Sequence, residues 1–494
     1  MKANDLKETL AETTLTNTEN GSLGYSTTSS ALVDFNFKLP SFRTADESII
    51  KAEFTKVMME NKEWALKYLF FLRDVREGVG ERRIFRVLCK YLATEFPDLL
   101  RDYIPMIPFY GRWDDVVELL DTPLQPEVAS FITATLKSDM IGAMAGTPIS
   151  LCAKWLPSPN TSSKTTKAKA KKIIKLLGTS EQVYRKTLSK LREHIKVLER
   201  TISANEWDKV EYSAVPSVAN IKYESAFMRH DEERRRAFLS DVKGGKTKIN
   251  ASVAFPYSIV KNYEGASNIN DTYEEMWKAL PNYGDLDGNS LVVSDGSYSM
   301  YCHIDKSETF AIHVAMSMAI YLSERIKGEF KDKFITFSEN PQFVDLSQCA
   351  NLHEKLVVMD KYHECANTDI AKVFKLVLDT ALKNNYTQED MPSNIITISD
   401  MEFDEGAEVD IPLFEEIKKQ YAENGYKLPK LVFWNVNSRT NVIPVRQNEY
   451  GVALVSGFSP AIMKMVTSGN LDPLQIILEQ ILSERYADIT VKEG

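Results

Sequence analysis

The sequence has 494 residues, of which 44% are hydrophobic, and its formal net charge is −9. The length allows roughly two to four domains. The acidic balance argues against a protein that coats nucleic acid over its whole surface. The absence of any run of about 18 apolar residues argues against a membrane span. The N-terminus has no apolar signal segment and the five cysteines are few and odd in number, so we expect reduced thiols and a cytoplasmic protein.

A long helical region is predicted first. Residues 1–40 are rich in Thr, Asn and Ser at their start, and we expect a partly flexible segment there. From residue 41 to 285, apolar residues recur at spacings of three and four, which is typical of one-sided helices, and Gly and Pro residues separate them. Many paired helices without a clean period predict an array of degenerate HEAT-like repeats. Whether the array closes into a ring stays open.

One part of the helical region is strongly basic. Residues 151–200 contain thirteen Lys or Arg and three Asp or Glu, a local charge of +10, which leaves −19 for the rest of the chain. Such a block is either a solvated helix face or a surface for an anionic partner.

The pattern changes near residue 286. Short apolar stretches such as LVVSD and NIITISD then alternate with helices of 10 to 20 residues as far as residue 494. This alternation predicts an α/β domain with a mostly parallel sheet that helices cover on both faces. Folds of this kind bind ligands at the carboxyl ends of their strands.

Polar oxygens are concentrated where two of the predicted strands end. Asp295, Ser297 and Ser299 lie on the loop DGSYSM, Asp400 ends the strand NIITISD, and Thr368 precedes a helix. Mg²⁺ prefers six hard oxygen ligands, several of them water, and hydroxyls supply oxygens without excess negative charge. These five residues therefore predict a site for Mg²⁺, or for Mn²⁺ or Ca²⁺ in its place. The alternative is that DGSYSM is only a polar turn.

The order Asp-x-Ser-x-Ser, loop Thr and strand-end Asp resembles the metal-ion-dependent adhesion site of von Willebrand factor A domains. The resemblance implies a Rossmann-like fold for residues 286–494. It also implies that an acidic group of a partner completes the metal shell. We expect no small-molecule cofactor.

A larger resemblance extends over most of residues 20–400. Helical repeats followed by such a domain resemble the Ro autoantigen (TROVE) proteins. Even closer is the resemblance to a family of uncharacterised bacterial, phage, plant and fungal proteins built on that plan. The matching segments include FLRDVREGVGERRIFR, IPFYGRWDDVVEL and LVVSDGSYSM. Ro proteins bind small non-coding RNA, so the resemblance implies RNA as a partner, by analogy of fold.

Several basic segments have a composition that suits RNA. Arginines bind phosphates bidentately, and glycines such as Gly78 permit close backbone approach. Aromatic residues such as Tyr110 and Trp113 can stack on bases, although both can instead belong to a core. Ion pairs with neighbouring acids are the alternative for the basic residues. The candidate RNA-binding residues are Lys164, Lys167, Lys169, Lys171, Lys172, Lys175, Arg76, Arg82, Arg83, Arg112, Arg234 and Arg235.

These observations favour a non-catalytic, RNA-binding scaffold with a magnesium-dependent ligand site. The alternative is a protein-interaction module that docks an acidic residue of a partner protein at the metal. No G-x-S-x-G elbow and no paired acids typical of a hydrolase are present, so a magnesium-dependent nuclease or phosphatase is only a third possibility.

Overall fold

The computed structural model describes residues 26–263, 267–283, 290–304, 308–362, 369–401, 411–438, 452–457, 465 and 472–491, and also 15–17 and 23–25. Two compact units divide the chain. The helical unit comprises Leu66–Val215, Tyr223–Phe238 and Tyr486–Gly494, and the sheet unit comprises Met1–Ala65, Pro216–Lys222 and Leu239–Arg485.

Helices dominate the chain before residue 290, and strands alternate with helices after it, which confirms the predicted fold class. The helices of the first part are α1 (Ala31–Phe37), α2 (Leu39–Phe42), α3 (Glu47–Glu60), α4 (Lys62–Arg73), α5 (Arg83–Glu95), α6 (Pro97–Arg101), α7 (Ile107–Tyr110), α8 (Trp113–Val117), α9 (Gln125–Ala145), α10 (Cys152–Trp155), α11 (Lys164–Leu176), α12 (Glu181–His194), α13 (Leu198–Ser203), α14 (Ser217–Lys222), α15 (Glu224–His230), α16 (Glu232–Lys243), α17 (Pro256–Tyr263) and α18 (Asp271–Lys278). Those of the second part are α19 (Ala311–Ser323), α20 (Leu352–Met359), α21 (Ile370–Asn384), α22 (Ile411–Glu423) and α23 (Pro473–Ile481). The strands are β1 (Leu15–Asn17), β2 (Leu23–Tyr25), β3 (Ser290–Asp295), β4 (Lys333–Phe337), β5 (Phe343–Asp345), β6 (Asn394–Ser399), β7 (Lys430–Asn435) and β8 (Val452–Ser456).

The main sheet lies in the sheet unit and has the strand order β5-β4-β3-β6-β7-β8. β4, β3, β6, β7 and β8 pair in parallel, and β5 pairs antiparallel to β4 at one edge. The central strands are buried runs of apolar residues, as strands covered on both faces must be. The prediction of a mostly parallel sheet is therefore confirmed.

Helix α19 forms the centre of the sheet unit. All of its residues from Ala311 to Ser323 are buried. Its serines satisfy their hydroxyls within the helix, because Ser317 donates to the carbonyl of Val314 at 2.9 Å and Ser323 to that of Ile320 at 3.0 Å. A helix that is apolar on every side requires cover on every side.

Residues 26–40 belong to the sheet unit and are folded. Helix α1 is buried from Leu32 to Phe37. The carbonyl of Phe37 accepts hydrogen bonds from Asn435 Nδ2 and from the Ser456 hydroxyl, both at 3.0 Å. The ends of β7 and β8 thus hold the end of α1 in place.

Local sequence signals set the helix boundaries of the helical unit. The hydroxyl of Ser163 accepts the Thr166 N–H at 3.3 Å where α11 begins, and that of Ser180 accepts the Val183 N–H at 3.2 Å where α12 begins. Helix α9 ends at Gly146, whose φ of 72° lies in the left-handed region that glycine adopts without strain.

A buried ionic cluster holds α4, α5 and α8 of the helical unit together. The side chain of Asp115 is fully buried, and its carboxylate accepts Arg73 Nε at 2.8 Å, Arg86 Nε at 2.6 Å and the Arg112 N–H at 3.0 Å. Arg73 is itself buried. Because the charges of Arg73 and Asp115 have been removed from water, each depends on its partners.

Residues near the C-terminus also pack within the helical unit. The Tyr486 ring stacks on Tyr110 with 5.4 Å between ring centroids, and its hydroxyl donates to Asp74 Oδ2 at 2.9 Å. Lys67 Nζ donates to the Tyr486 carbonyl at 2.8 Å. The helical core is therefore completed by residues far away in sequence.

Membrane spans and disulfides are the last two features of the fold. Within the described ranges, no helix is both long and apolar enough to cross a lipid bilayer. Cys89, Cys152, Cys302 and Cys349 are free thiols, and Cys365 lies outside the described residues.

Substituting Asp115 tests the buried cluster. We expect Asp115→Ala to lower the free energy of unfolding by about 3–5 kcal/mol, because it leaves Arg73 buried without its partner. Asp114→Ala is the matched control, since Asp114 is partly exposed and contacts Arg86 at 2.7 Å. The control should cost at most about 1 kcal/mol. Urea denaturation of the full chain measures both, and equal losses would contradict the assigned role.

Candidate metal centre and nucleic-acid interface

Two buried carboxylates lie at one edge of the sheet. Strands β3 and β6 are parallel neighbours, so their carboxyl ends meet at the same edge. Asp295 ends β3, and Asp400 directly follows Ser399, the last residue of β6. Asp295 and Asp400 are each only 1% exposed. The parallel topology therefore brings Asp295 and Asp400 to the same edge of the sheet, as the sequence predicted.

Hydrogen bonds connect the polar residues of this edge, which we call the strand-edge cluster (Asp295, Ser297, Ser299, Ser399 and Asp400). Asp295 Oδ1 accepts the Ser297 N–H at 2.9 Å, and Asp295 Oδ2 accepts the Ser399 hydroxyl at 2.6 Å. The hydroxyl oxygens of Ser297 and Ser299 are 2.9 Å apart. The Ser299 hydroxyl donates to Asp400 Oδ1 at 3.2 Å. Asp295, Ser297, Ser299 and Asp400 therefore belong to one connected network.

The chemistry of this cluster suits a hard divalent cation. Its carboxylates and hydroxyls offer only oxygen atoms, which Mg²⁺ prefers, and Ser297 and Ser299 are half-buried and thus reachable from solvent. Two carboxylates close together in a buried setting repel each other, and a cation relieves that repulsion. No group of three or more His, Cys, Asp or Glu side chains in the described ranges could hold a metal, so the hydroxyl oxygens are needed. Thr368 lies outside the described residues and stays a prediction.

Sequence reasoning missed Ser399. Its hydroxyl donates to Asp295 and also accepts the Met401 N–H at 3.0 Å. Ser399 therefore orients the Asp295 carboxylate and also the turn that follows Asp400. A hydroxyl within an otherwise apolar strand, directly before a candidate ligand, is the signal that could have revealed it.

The turn after Asp400 has an uncommon backbone conformation. Met401 has a φ of 61°, in the left-handed region that costs a residue with a side chain roughly 1–2 kcal/mol. The hydrogen bond from Met401 N–H to Ser399 helps to hold this turn. Unusual backbone at a strand end is common at ligand sites.

Helix α11 presents a stripe of lysines to solvent. Its buried face contains Ala170, Ile173 and Ile174. Lys164, Lys167, Lys171 and Lys175, which we call the lysine stripe, are exposed and follow one another at spacings of three and four, so they share one helix face. None of them forms an ion pair in the part of the chain that the structure describes.

Lys169 and Lys172 differ from the lysine stripe, because each has an acidic partner. Lys169 Nζ lies 2.7 Å from Glu118 Oε1, and Lys172 donates to Asp121. Burial raises the pKa of Glu118, but hydrogen bonds from Lys169 and Lys90 outweigh it and lower the pKa to about 2. Glu118 thus stays ionised near neutral pH and keeps Lys169 engaged.

The predicted arginines around residues 76–112 have mixed settings. Arg76 is exposed, and its Nη1 donates to the Phe109 carbonyl at 3.0 Å. Arg82 is exposed and lies 4.0 Å from Asp114, and Arg83 is half-buried. Arg112 is half-buried, and its guanidinium lies over the Trp155 ring, 4.9 Å from the centroid. Burial lowers the pKa of Arg112, as does the positive charge of Arg73.

The structure contradicts the assignment of Arg235 to an RNA surface, whereas that of Arg234 stays a prediction. Arg235 is fully buried, and its Nη2 donates to Glu224 Oε2 at 2.9 Å. Arg234 is exposed, but its guanidinium donates to the carbonyls of Trp207 and Val210 at 2.9 and 2.7 Å. Arg235 joins α15 and α16, and Arg234 joins α16 to the segment at Trp207 and Val210.

Three features of the loop and helices around residues 70–115 also have structural roles. Tyr110 is buried against Tyr486, and Trp113 is buried and stacks on Phe131 at 4.9 Å, so neither can stack on a base. A Cβ on Gly78 would lie 2.0 Å from the Phe71 carbonyl oxygen. Glycine is required there by close packing of the chain on itself.

Comparisons with known proteins match nearly all of this chain. Residues 122–287 match a domain of unknown function (DUF2828), and residues 289–483 match another (DUF7788). The uncharacterized protein L728 of Acanthamoeba polyphaga mimivirus is 30% identical over 508 residues, which cover 93% of this chain and 86% of that protein.

A solved structure also aligns with this chain. The crystal structure of the Deinococcus radiodurans RO (RSR) protein matches with a TM-score of 0.36 and 14% sequence identity. The match covers 91% of this chain and 93% of that chain.

Removing the Ser399 hydroxyl tests the strand-edge cluster. We expect Ser399→Ala to weaken Mn²⁺ or Mg²⁺ binding by about 10- to 100-fold, because Asp295 loses the group that orients it. Isothermal titration calorimetry measures this change. Ser456→Ala is the matched control, since Ser456 is also a buried serine at the end of a strand but donates to Phe37. Unchanged metal affinity in Ser399→Ala, or an equal loss in the control, would contradict the assigned role.

Proposed function

We propose that this chain, which belongs to the same family as the mimivirus protein L728, is a non-catalytic, RNA-binding scaffold with a magnesium-dependent ligand site. The helical unit contacts RNA phosphates. The strand-edge cluster binds one divalent cation. The sequence resemblance to Ro proteins led to the same expectation.

The lysine stripe is the observation on which RNA binding rests. From Lys164 to Lys175 the helix rises about 16 Å, at roughly 1.5 Å per residue, so the stripe can follow several phosphates of one strand. The chain as a whole has a net charge of −9, and many of its other cations are paired with carboxylates. Four exposed lysines on one face without an ion pair in the described ranges therefore offer a surface for an anionic partner. Lysines that neutralise phosphates release counterions, which drives binding.

The strand-edge cluster supports the second part of the proposal. Asp295, Ser297, Ser299 and Asp400 would hold the cation, with Thr368 as a further candidate, and Ser399 would orient Asp295. The cation would supply a Lewis-acidic position for a carboxylate or a phosphate oxygen. We place no bond-breaking step there, because the cation would take up both carboxylates of the cluster and leave neither to move a proton.

A protein partner is the second candidate, and one observation favours it. Tyr298, between Ser297 and Ser299 of the loop DGSYSM, is 78% exposed. Exposed tyrosines are enriched where proteins bind each other, because the ring offers a large contact area with a polar end. On this hypothesis an acidic side chain of the partner binds at the cation, and the surface of the partner packs on Tyr298.

Two double substitutions on α11 test RNA binding. Lys167→Gln/Lys171→Gln removes two charges of the lysine stripe. Lys169→Gln/Lys172→Gln removes the same charge from lysines that already have acidic partners. We expect the first pair to lower the slope of log K against log salt concentration by about 1.4, or roughly 0.7 for each lost phosphate contact. The second pair should change it much less.

Fluorescence anisotropy with a labelled single-stranded RNA at several salt concentrations measures these slopes. Equal effects of the two pairs would mean that only net charge matters, and would remove the lysine stripe as a binding surface. A wild-type chain that does not bind the RNA at low salt would contradict the proposed function itself.

A further inference from the structure

The helical unit contains a cavity of about 590 Å³ beside helix α12. Its walls come from the loop at Ser158–Asn160, from one face of α12, and from Arg200 of α13. Cavities of roughly 300–1,000 Å³ are typical of small-ligand sites. None of its residues was among the candidates predicted from the sequence.

Four cations line this space, which we call the arginine cavity: Arg185, Lys186, Arg192 and Arg200. No Asp or Glu belongs to the described residues that line it. Nor does any of the four form an ion pair within the described ranges. Glu199, which neighbours Arg200 in sequence, contacts Lys154 at 3.9 Å instead.

Neutral acceptors hold the guanidinium groups in place. Arg192 donates from Nε to the Ala153 carbonyl at 2.8 Å, from Nη1 to the Ser158 hydroxyl at 2.6 Å, and from Nη2 to the Leu156 carbonyl at 2.7 Å. Arg200 Nη1 donates to the Ser189 carbonyl at 2.6 Å. These bonds fix the positions of the charges without neutralising them.

Arg185 is held in the same manner. With the Asn160 amide oriented by its hydrogen bonds, the Asn160 oxygen accepts Arg185 Nη2 at 2.8 Å and Nε at 3.1 Å. The pKa of Arg192 is lowered mainly by burial; Tyr184 raises it, and the positive charge of Arg200 lowers it. An anion in the cavity would relieve this repulsion.

The remaining N–H groups of Arg185 and Arg200 and the Lys186 ammonium can donate to the oxygens of a phosphate, and groups that are already oriented lose little entropy on binding. Pro159 and Leu188 are buried in the wall of the same cavity, and Asn160 and Gln182 add exposed amides. A nucleotide combines a phosphate with polar ring edges, which amides can bind, and a flat ring face, on which a guanidinium group can stack. We propose that the arginine cavity binds the phosphate and base of one nucleotide, carried by single-stranded RNA or free in solution. In its RNA form this inference rests on the proposed function.

Calorimetry and anisotropy on the full chain test this proposal with three probes: a labelled ten-residue oligouridylate, uridine monophosphate and inorganic phosphate. Arg185→Gln/Lys186→Gln removes two exposed charges from the cavity wall. Lys190→Gln/Lys196→Gln is the matched control, since it removes two exposed charges from the same region outside the lining. We expect about tenfold weaker binding of the oligonucleotide and of uridine monophosphate to the first variant alone.

The outcomes separate this inference from the proposed function. If uridine monophosphate binds wild type but not the cavity variant, and the RNA does not bind at all, the cavity is a site for a free nucleotide and RNA binding is wrong. If RNA and uridine monophosphate each bind equally to wild type, cavity variant and control, the cavity is not a nucleotide site while RNA binding stands. Binding of inorganic phosphate alone, or of none of the three probes, would also overturn the nucleotide site.

Discussion

A buried charge costs several kcal/mol unless an opposite charge or hydrogen bonds compensate it, and this constraint determines how the charges of this acidic chain are used. Inside the helical unit, Arg73 and Arg86 share Asp115, and Arg235 has Glu224. These pairs join helices, and Arg73, Asp115 and Arg235 are buried where no ligand reaches them. Function is therefore expected at charges that have no opposite charge beside them, such as the lysine stripe and the arginine cavity, and at the strand-edge cluster, where two buried carboxylates meet among hydroxyls.

The two units offer opposite chemistry for this reason. The sheet unit gathers carboxylates at the carboxyl ends of β3 and β6, where parallel topology concentrates polar groups, and that edge suits a cation. The helical unit keeps cations on α11 and α12 after its acids have been used for structure, and those helices suit an anion. Glu118 is an example, because it forms ion pairs with Lys90 and Lys169. The lysine stripe on the opposite face of α11 is left exposed to solvent.

The sequence predicted the strands well and the charged surfaces poorly. Apolar runs ending in polar residues located β3 and β6, and their parallel pairing follows from the alternation with helices, so Asp295 and Asp400 could be placed at one edge. The partner of a given arginine could not be read in this way. Arg235 and Arg236 are neighbours in one basic run, yet only the structure distinguishes the buried one, whose partner is Glu224, from the exposed one. The packing of α1 on β7 and β8 connects residues about 400 positions apart, which no local pattern reveals.

The most direct measurement is to purify the protein without nuclease treatment at low salt, record its absorbance at 260 and 280 nm, and sequence the nucleic acid that remains bound. We expect a copurifying RNA that raises the 260/280 ratio and that is released when the salt concentration is increased. Protein that is free of nucleic acid, and that instead retains a protein partner only while a divalent cation is present, would contradict the RNA-binding scaffold and favour the interaction module.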